Sequence, residues 1–307
     1  MAKIFIDGGA GTTGLNIKER LSEMSGIELI TLPEELRKDV SARKEAMNSA
    51  DVVFFCLPDD AAKQADALIE NRITAVIDAS TVHRVCSGWE YGFPELYGRR
   101  ERIKNSKRIA NPGCHASGFI ALTEPLIRNK MIKKRTNLTC FSLTGYTGGG
   151  KKMIADYENK KRDTLLSAPR QYGLSQSHKH LPEMSAISGL KGKIAFCPIV
   201  GDFPRGMEVT VPLFKKDLRS SEKDIREVFA SYYCGDIVKY NENADENGFL
   251  SANAYAGKDS MEISVFGNSE EILLVARFDN LGKGACGAAI QNMNILLGKE
   301  ETNGLIL

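Results

Sequence analysis

The chain has 307 residues, 42% hydrophobic and 26% charged, with a net charge of +2. That balance excludes disordered and fibrous chains, leaves room for two domains with cores of their own, and argues against nucleic acid as a partner. The longest apolar runs, such as Val52 to Leu57, fall far short of the roughly 20 residues that a membrane helix needs, so no membrane partner is expected either.

Ile4-Phe5-Ile6 reads as a first strand, and the lack of an apolar signal segment before it points to a cytoplasmic protein. Asp7-Gly8-Gly9-Ala10-Gly11-Thr12-Thr13-Gly14 follows, then a helix-like Leu15 to Met24. Gly9, Gly11 and Gly14 have the G-x-G-x-x-G spacing of a loop that turns tightly, lets a pyrophosphate approach the backbone and packs a helix on a strand. With Thr12 and Thr13 they form a candidate cofactor site, although a glycine-rich turn without a ligand is the simpler reading of the pattern alone. Strand-like runs recur at Ile27 to Leu32, Val52 to Leu57, Ala75 to Ala79 and Arg108 to Ala110, with helical segments near Ala42 to Asn48 and Ala61 to Asn71. This alternation predicts an α/β domain with a Rossmann-type, doubly wound parallel sheet. After the second strand, Glu34 and Glu35 favour NAD and Arg37 and Lys38 favour NADP. The balance leans to NADP(H), and either pair also reads as a solvated turn. Arg99-Arg100-Glu101-Arg102-Ile103-Lys104 carries an acid among its bases and reads as a solvated helix face.

Asn111-Pro112-Gly113-Cys114-His115 falls where a predicted strand gives way to a predicted helix. A helix start offers unpaired N–H groups and a positive dipole end, which stabilise a thiolate against its free pKa of about 8.5. Cys114 is therefore a candidate nucleophile, on the same predicted rim as the glycine loop. A lone cysteine is more often a small buried hydrophobe, and Cys56, Cys86, Cys140, Cys197, Cys234 and Cys286 read mostly as packing residues. No Cys-x-x-Cys pair or other ligand cluster supports a metal.

From Asn137 onward, Leu138 to Leu143, Ile194 to Val200, Met207 to Phe214, Met261 to Phe266 and Ile272 to Phe278 read as strands with few crossover helices, predicting an α+β substrate domain with a mostly antiparallel sheet. Gly145 to Lys151 is a glycine-rich loop that could bind an anion, close over a substrate or merely turn. Two of only four histidines lie at His178 and His180, pointing the same way if the segment is a strand. Imidazole, with a pKa of about 6.5, exchanges a proton at neutral pH and activates a neighbouring thiol. Asn280 precedes a glycine-marked, small-residue helix through Leu297, expected to return to the nucleotide domain. The chemistry open at this point is hydride transfer through Cys114, thiol hydrolase or acyl-transferase chemistry with Cys114 and His178, or a non-catalytic dinucleotide-binding regulator. The glycine loop argues against the second, and the cysteine with its histidines against the third.

These pieces together resemble the shorter sequence type of the N-acetyl-gamma-glutamyl-phosphate reductases, within the broader semialdehyde dehydrogenase family, over essentially the whole length. The carriers are Asp7-Gly8 with Gly11 to Gly14, Cys56 to Asp60, Asn111 to Cys114, Gly145 to Lys151, Tyr172-Gly173-Leu174, His178-Lys179-His180, Gly206-Met207, Asp279 to Ala285 and Gln291 to Asn294. The resemblance implies Cys114 as nucleophile, His178 as acid/base group, Tyr172 and His180 as substrate contacts, and Asn280 near the nicotinamide. It implies a dinucleotide domain over 1–114 completed by a helix in 283–307, a catalytic and oligomerisation domain over 115–282, and a homo-oligomer, dimer or tetramer. The implied reaction reduces an acyl-phosphate substrate, N-acetyl-glutamyl 5-phosphate, to the semialdehyde with NADPH through a Cys114 thioester, in arginine biosynthesis; aspartyl or amino-adipyl phosphate is the alternative. Two departures stand out: His115 where a tyrosine commonly follows the cysteine, and Gly9-Ala10 in place of an acidic-histidine pair. His115 adds a third candidate to titrate with Cys114.

Overall fold

In the computed structural model, which describes residues 1–307, strand β1 (Ala2–Asp7) sends Ile4 to one side of a sheet and Phe5 to the other. After it come α1 (Thr12–Ser22), β2 (Ile27–Ile30), α2 (Val40–Ser49), β3 (Val52–Phe55), α3 (Asp59–Asp66), β4 (Ala75–Asp78), β5 (Glu90–Tyr91), α4 (Arg99–Lys104) and β6 (Arg108–Ala110). The six strands are all parallel, in the order β2-β1-β3-β4-β6-β5. Val52, Phe54, Ala75 and Ile77 join Ile4 against Ile17 and Leu21 of α1 and Ile103 of α4. Val53, Phe55 and Val76 join Phe5 against Ala46 and Met47 of α2 and Ala62 and Ala65 of α3. Burial on both faces is why these strands read as continuous apolar runs. The strand β5 carries only two residues and no apolar run, so it leaves no pattern in the sequence.

The second half supplies α5 (Cys114–Arg128), β7 (Leu138–Gly145), α6 (Gly150–Glu158), β8 (Arg170–Gln171), α7 (Leu181–Ser188), β9 (Ile194–Gly201), β10 (Met207–Phe214), α8 (Glu222–Tyr232), β11 (Val238–Tyr240), β12 (Met261–Gly267) and β13 (Glu271–Phe278). They form a seven-stranded sheet, order β11-β12-β13-β10-β7-β9-β8. Only β7–β9 and β11–β12 pair in parallel, so the sheet is mostly antiparallel, as its scarcity of crossover helices predicts. Helix α5 is buried on every side from His115 to Ile127, and it lies so close to the sheet that a Cβ on Gly118 would stand 2.5 Å from Val209 of β10. A single turn of π-helix (Gly282–Cys286) leads into α9 (Gly287–Leu296), whose Ala289, Ile290 and Met293 pack with Ile4 and Ile103.

By contacts the chain divides into two compact units: Met1–Pro94 with Gly98–Pro112 and Ala285–Leu305, and Glu95–Tyr97 with Gly113–Gly284 and Ile306–Leu307. No helix is long and apolar enough to cross a membrane. Two expectations need correction. Cys86 and Cys234 are exposed, because they lie outside the apolar runs, Cys234 in an isolated bridge with Lys239. His178 and His180 are not on a strand: they occupy the turn before α7, where Pro182 at the second helical position and the N-cap at His180 fix a helix start.

Candidate active site

In the first unit the loop after β1 is built around glycines with different tasks. Gly8 makes the sharp turn, with φ +86°, and a Cβ there would stand 2.4 Å from the carbonyl oxygen of Cys56, so the turn falls one residue before the Gly9 expected from the motif. Gly14, in the first turn of α1, packs on the loop itself: its Cβ would meet Gly8 O at 2.7 Å. Gly9 and Gly11 have nothing nearer than 3.7 Å, so the backbone between them is open to a ligand. Thr12 and Thr13 begin α1, and no acidic side chain stands in its first turn. Open backbone at an unopposed helix N-terminus is what a pyrophosphate requires, so these residues fit a dinucleotide. Beyond β2, Arg37 pairs with the exposed Glu34 at 3.6 Å, and Arg43 of α2 grips Asp7 through two hydrogen bonds.

The bend before Cys114 is fixed from the same unit. Asn111 gives Nδ2–H to the Ala285 carbonyl at 2.9 Å, while its own carbonyl accepts from Arg84 Nε at 3.0 Å. In the second unit, Gly113 caps α5 and donates its N–H to the buried Glu183 carboxylate at 3.2 Å. Cys114 is the first helical residue and half-buried, and Gly284 lies against it, where a Cβ would stand 3.0 Å from that of Cys114. Gly113 N–H is thus engaged at the start of the helix whose first residue is Cys114.

Around this helix start the chain gathers His115, Tyr172, His178, His180 and Phe196, with ring centroids 4.8 to 6.0 Å apart for the contacting pairs. His115 is 3% exposed; its Nδ1 bonds Ser142 Oγ and its Nε2 bonds Tyr172 Oη, both at 2.6 Å. Burial, helped by His178 and Lys179, pushes its pKa down to about 3, so it stays neutral. The Tyr172 hydroxyl is raised, first by burial and then by the charge of Cys114. His178 is half-buried and its pKa is lowered, by burial first and Lys179 second. Its Nδ1 accepts from the His180 backbone N–H at 3.2 Å, which places the proton of the neutral ring on Nε2.

Asn280 is a clamp: its Oδ1 accepts from Gly206 N–H and its Nδ2 donates to Thr147 Oγ1, each at 3.0 Å. The Gly145 to Lys151 loop turns rather than gapes, since a Cβ on Gly145 would meet Pro204 O at 2.6 Å and Tyr146 stacks on Tyr157. Sequence reasoning passed over three residues that shape the site. Ser142 is an ordinary inward position of β7, Glu183 is hidden in a helix, and Gln176 leaves only one trace, its place between two serines in a run of small and polar residues. Gln176, at φ +54°, bonds both main-chain groups of Phe196, at 2.7 and 2.9 Å, and so locates the loop that bears His178.

Comparison with known proteins accords with this architecture. The semialdehyde dehydrogenase NAD binding domain matches residues 3–106, and the semialdehyde dehydrogenase dimerisation domain matches residues 114–280. The chain belongs to the semialdehyde dehydrogenase family, and its first domain is that family's nicotinamide-dinucleotide-binding domain. Among solved structures it is similar to aspartate semialdehyde dehydrogenase II from Vibrio cholerae, with a TM-score of 0.71 at 15% identity over 97% of this chain and 98% of that one, a likeness of fold. Along its whole length it is similar to N-acetyl-gamma-glutamyl-phosphate reductase 2 of Nostoc sp., 43% identical over 99% of each chain. The N-acetyl-gamma-glutamyl-phosphate reductase of Brucella suis is 44% identical over 97% of this chain and 99% of its own.

Proposed function

We propose that this chain catalyses the NADPH-dependent reduction of N-acetyl-L-glutamyl 5-phosphate to N-acetyl-L-glutamate 5-semialdehyde and phosphate, a step of arginine biosynthesis. The observation that carries the reading is a half-buried thiol at the first residue of a buried helix whose next residue, the neutral His115, gathers His178 and His180, in a chain whose full-length relatives bear that reductase name. The Cys114 thiolate attacks the acyl carbon, the C–O bond to phosphate breaks, and a thioester forms on Sγ; the proton consumed overall leaves with the phosphate. When bound, the reduced dinucleotide supplies hydride to the thioester carbonyl. The His178 Nε2–H and the backbone N–H of Cys114 hold the oxyanion, which collapses to aldehyde as the C–S bond breaks and the thiolate is regenerated. Tyr172 and His180 line the acyl site. Asn280 holds Thr147 and Gly206 in place.

NADP is preferred over NAD in this reading because Arg37 and Lys38, beyond the end of β2 at Ile30, offer cations to an extra phosphate, and of the two acids before them Glu34 is already paired with Arg37. A second copy of the chain completes the assembly. Phe141, Phe214 and Leu273, 45%, 52% and 41% exposed, lie with Thr210 and Pro212 on the face of β7, β10 and β13 opposite α5. Three exposed large apolar side chains on one sheet face suit a two-fold partner. The test is the reverse reaction: N-acetyl-glutamate semialdehyde with phosphate and NADP yields phosphate-dependent NADPH in wild type and none in Cys114→Ser. Oxidation of aspartate semialdehyde instead, with no turnover of the N-acetyl substrate, overturns the substrate assignment.

A further inference from the structure

We propose that Lys283 and Glu95 are positioning residues: their buried ion pair holds a main-chain turn, at Gly284, against the β-carbon of Cys114 and so bars the thiol from swinging toward it. The inference rests on Cys114 being the nucleophile of the reaction above. Lys283 Nζ donates to both carboxylate oxygens of Glu95 at 2.8 Å, and the two side chains are 0% and 9% exposed. Glu95, Lys283, Gly284 and Cys114 all belong to the second unit. An ammonium enclosed to that degree is out of reach of a substrate, so its effect on the chemistry runs through the chain that it anchors.

The turn that carries Gly284 is tightly packed from its first residue. Asp279, fully buried, accepts from the N–H groups of Leu281 at 2.7 Å and Gly282 at 3.2 Å, and its other carboxylate oxygen pairs with Arg205 Nε at 2.8 Å. Gly284 N–H then donates to the Asp279 carbonyl at 3.0 Å, the spacing of a π turn. A Cβ on Gly282 would stand 2.0 Å from Lys258 O; one on Gly284 would stand 3.0 Å from both Asp279 O and Cys114 Cβ, and 3.3 Å from Phe278 Cε2. The Cys114 sulfur is not among these three nearest atoms, so it is not directed at the turn. A side chain has three staggered wells at χ1, and main chain packed on its β-carbon closes the well on that side.

Position, rather than stability, is what the ion pair contributes. Taking an ammonium and a carboxylate out of water costs about as much as their attraction returns, so a buried pair adds little over two neutral side chains of the same shape. Two hydrogen bonds from one ammonium do fix a place: Lys283 is the residue before Gly284, and a shift of the turn breaks both bonds. A turn free to drift opens the closed well, and the thiol then divides its time between its working position and one covered by main chain.

The experiment uses the full chain and follows iodoacetamide modification of the Cys114 peptide by mass spectrometry, a measurement that needs no substrate. The double variant Glu95→Gln with Lys283→Met removes both charges while keeping both shapes, and is expected to melt as wild type. Its Cys114 is expected to alkylate about threefold more slowly, the dilution of one well over three, with the pH midpoint of the reaction unmoved. Its kcat falls at least as far, while KM for NADPH stays at the wild-type value. Glu95→Asp, which keeps both charges and draws the ammonium in by one methylene, shows the same pattern more weakly. Wild-type alkylation and kcat in a double variant that melts normally overturn the inference. A double variant that melts well below wild type overturns it as well, because the pair is then an element of stability. If wild type does not turn over the acyl phosphate but alkylation is slowed in both variants, the substrate reading fails and the positioning role stands.

Discussion

The glycine loop of the first unit and the thiol site of the second solve recognition in opposite materials. The loop is backbone: Gly8 and Gly14 leave no room for a side chain, and Gly9 and Gly11 carry none into the open space before α1. The thiol site is side chain: next to Cys114, His115 packs with Tyr172, His178, His180 and Phe196, and hydrogen bonds to its two ring nitrogens fix its orientation. A backbone site is sensitive to any added atom, and a side-chain site to the loss or reversal of one proton. Binding and chemistry should therefore fail separately when each is damaged.

The largest effect expected is from Cys114→Ser, which lowers turnover at least about 10⁴-fold while dinucleotide affinity, read by fluorescence titration, stays at the wild-type value. A matching loss of affinity breaks the contrast. His178→Asn comes next, with kcat down about a hundredfold and KM for the dinucleotide unchanged. Near-normal turnover transfers the donor role to His180. Gly14→Ala works the other way: its Cβ has backbone at 2.7 and 2.8 Å, so the variant loses about 1–3 kcal/mol of stability and binds NADPH weakly, yet its Cys114 alkylates as wild type. Gly11→Ala, with only Gly8 O at 3.7 Å, melts as wild type and isolates the ligand's own need for space.

The smallest effect is a change of slope. The pKa of His115 falls from an ordinary 6.5 to about 3 in the folded chain. The unfolded chain thus holds one more proton there between those values, and the stability this neutral imidazole contributes is fully present above pH 6.5 and lost as pH falls toward 3. His115→Phe should have a shallower dependence of unfolding free energy on pH in that window, by up to one proton, with no difference above it. Equal slopes in denaturant titrations of the two proteins show that His115 is not buried neutral.

The same contrast governs how much was legible from residues alone. The first unit's strands and its loop lie within local runs, so period and glycine spacing placed β1, β3, β4 and β6 nearly to the residue, missing mainly that the turn falls at Gly8. In the second unit β10 was readable by alternation, while β8 and β11, of two and three residues, were too short to leave a pattern. His178 was noticed for its scarcity, but on a strand it does not occupy, because the helix start at His180 and Pro182 outweighs a weak strand tendency. Ser142 and Gln176 were invisible, since each gains its meaning from a partner 27 or 20 residues away.

Gln176 has a consequence outside the site. By answering both the N–H and the C=O of Phe196 with one carboxamide, it imitates a neighbouring strand where β8, two residues long, has already ended. The margin of the sheet at that point is closed to edge-on pairing with another chain, the route by which exposed strands recruit copies into aggregates. The residue that locates the loop bearing His178 thus also covers the sheet edge beside it.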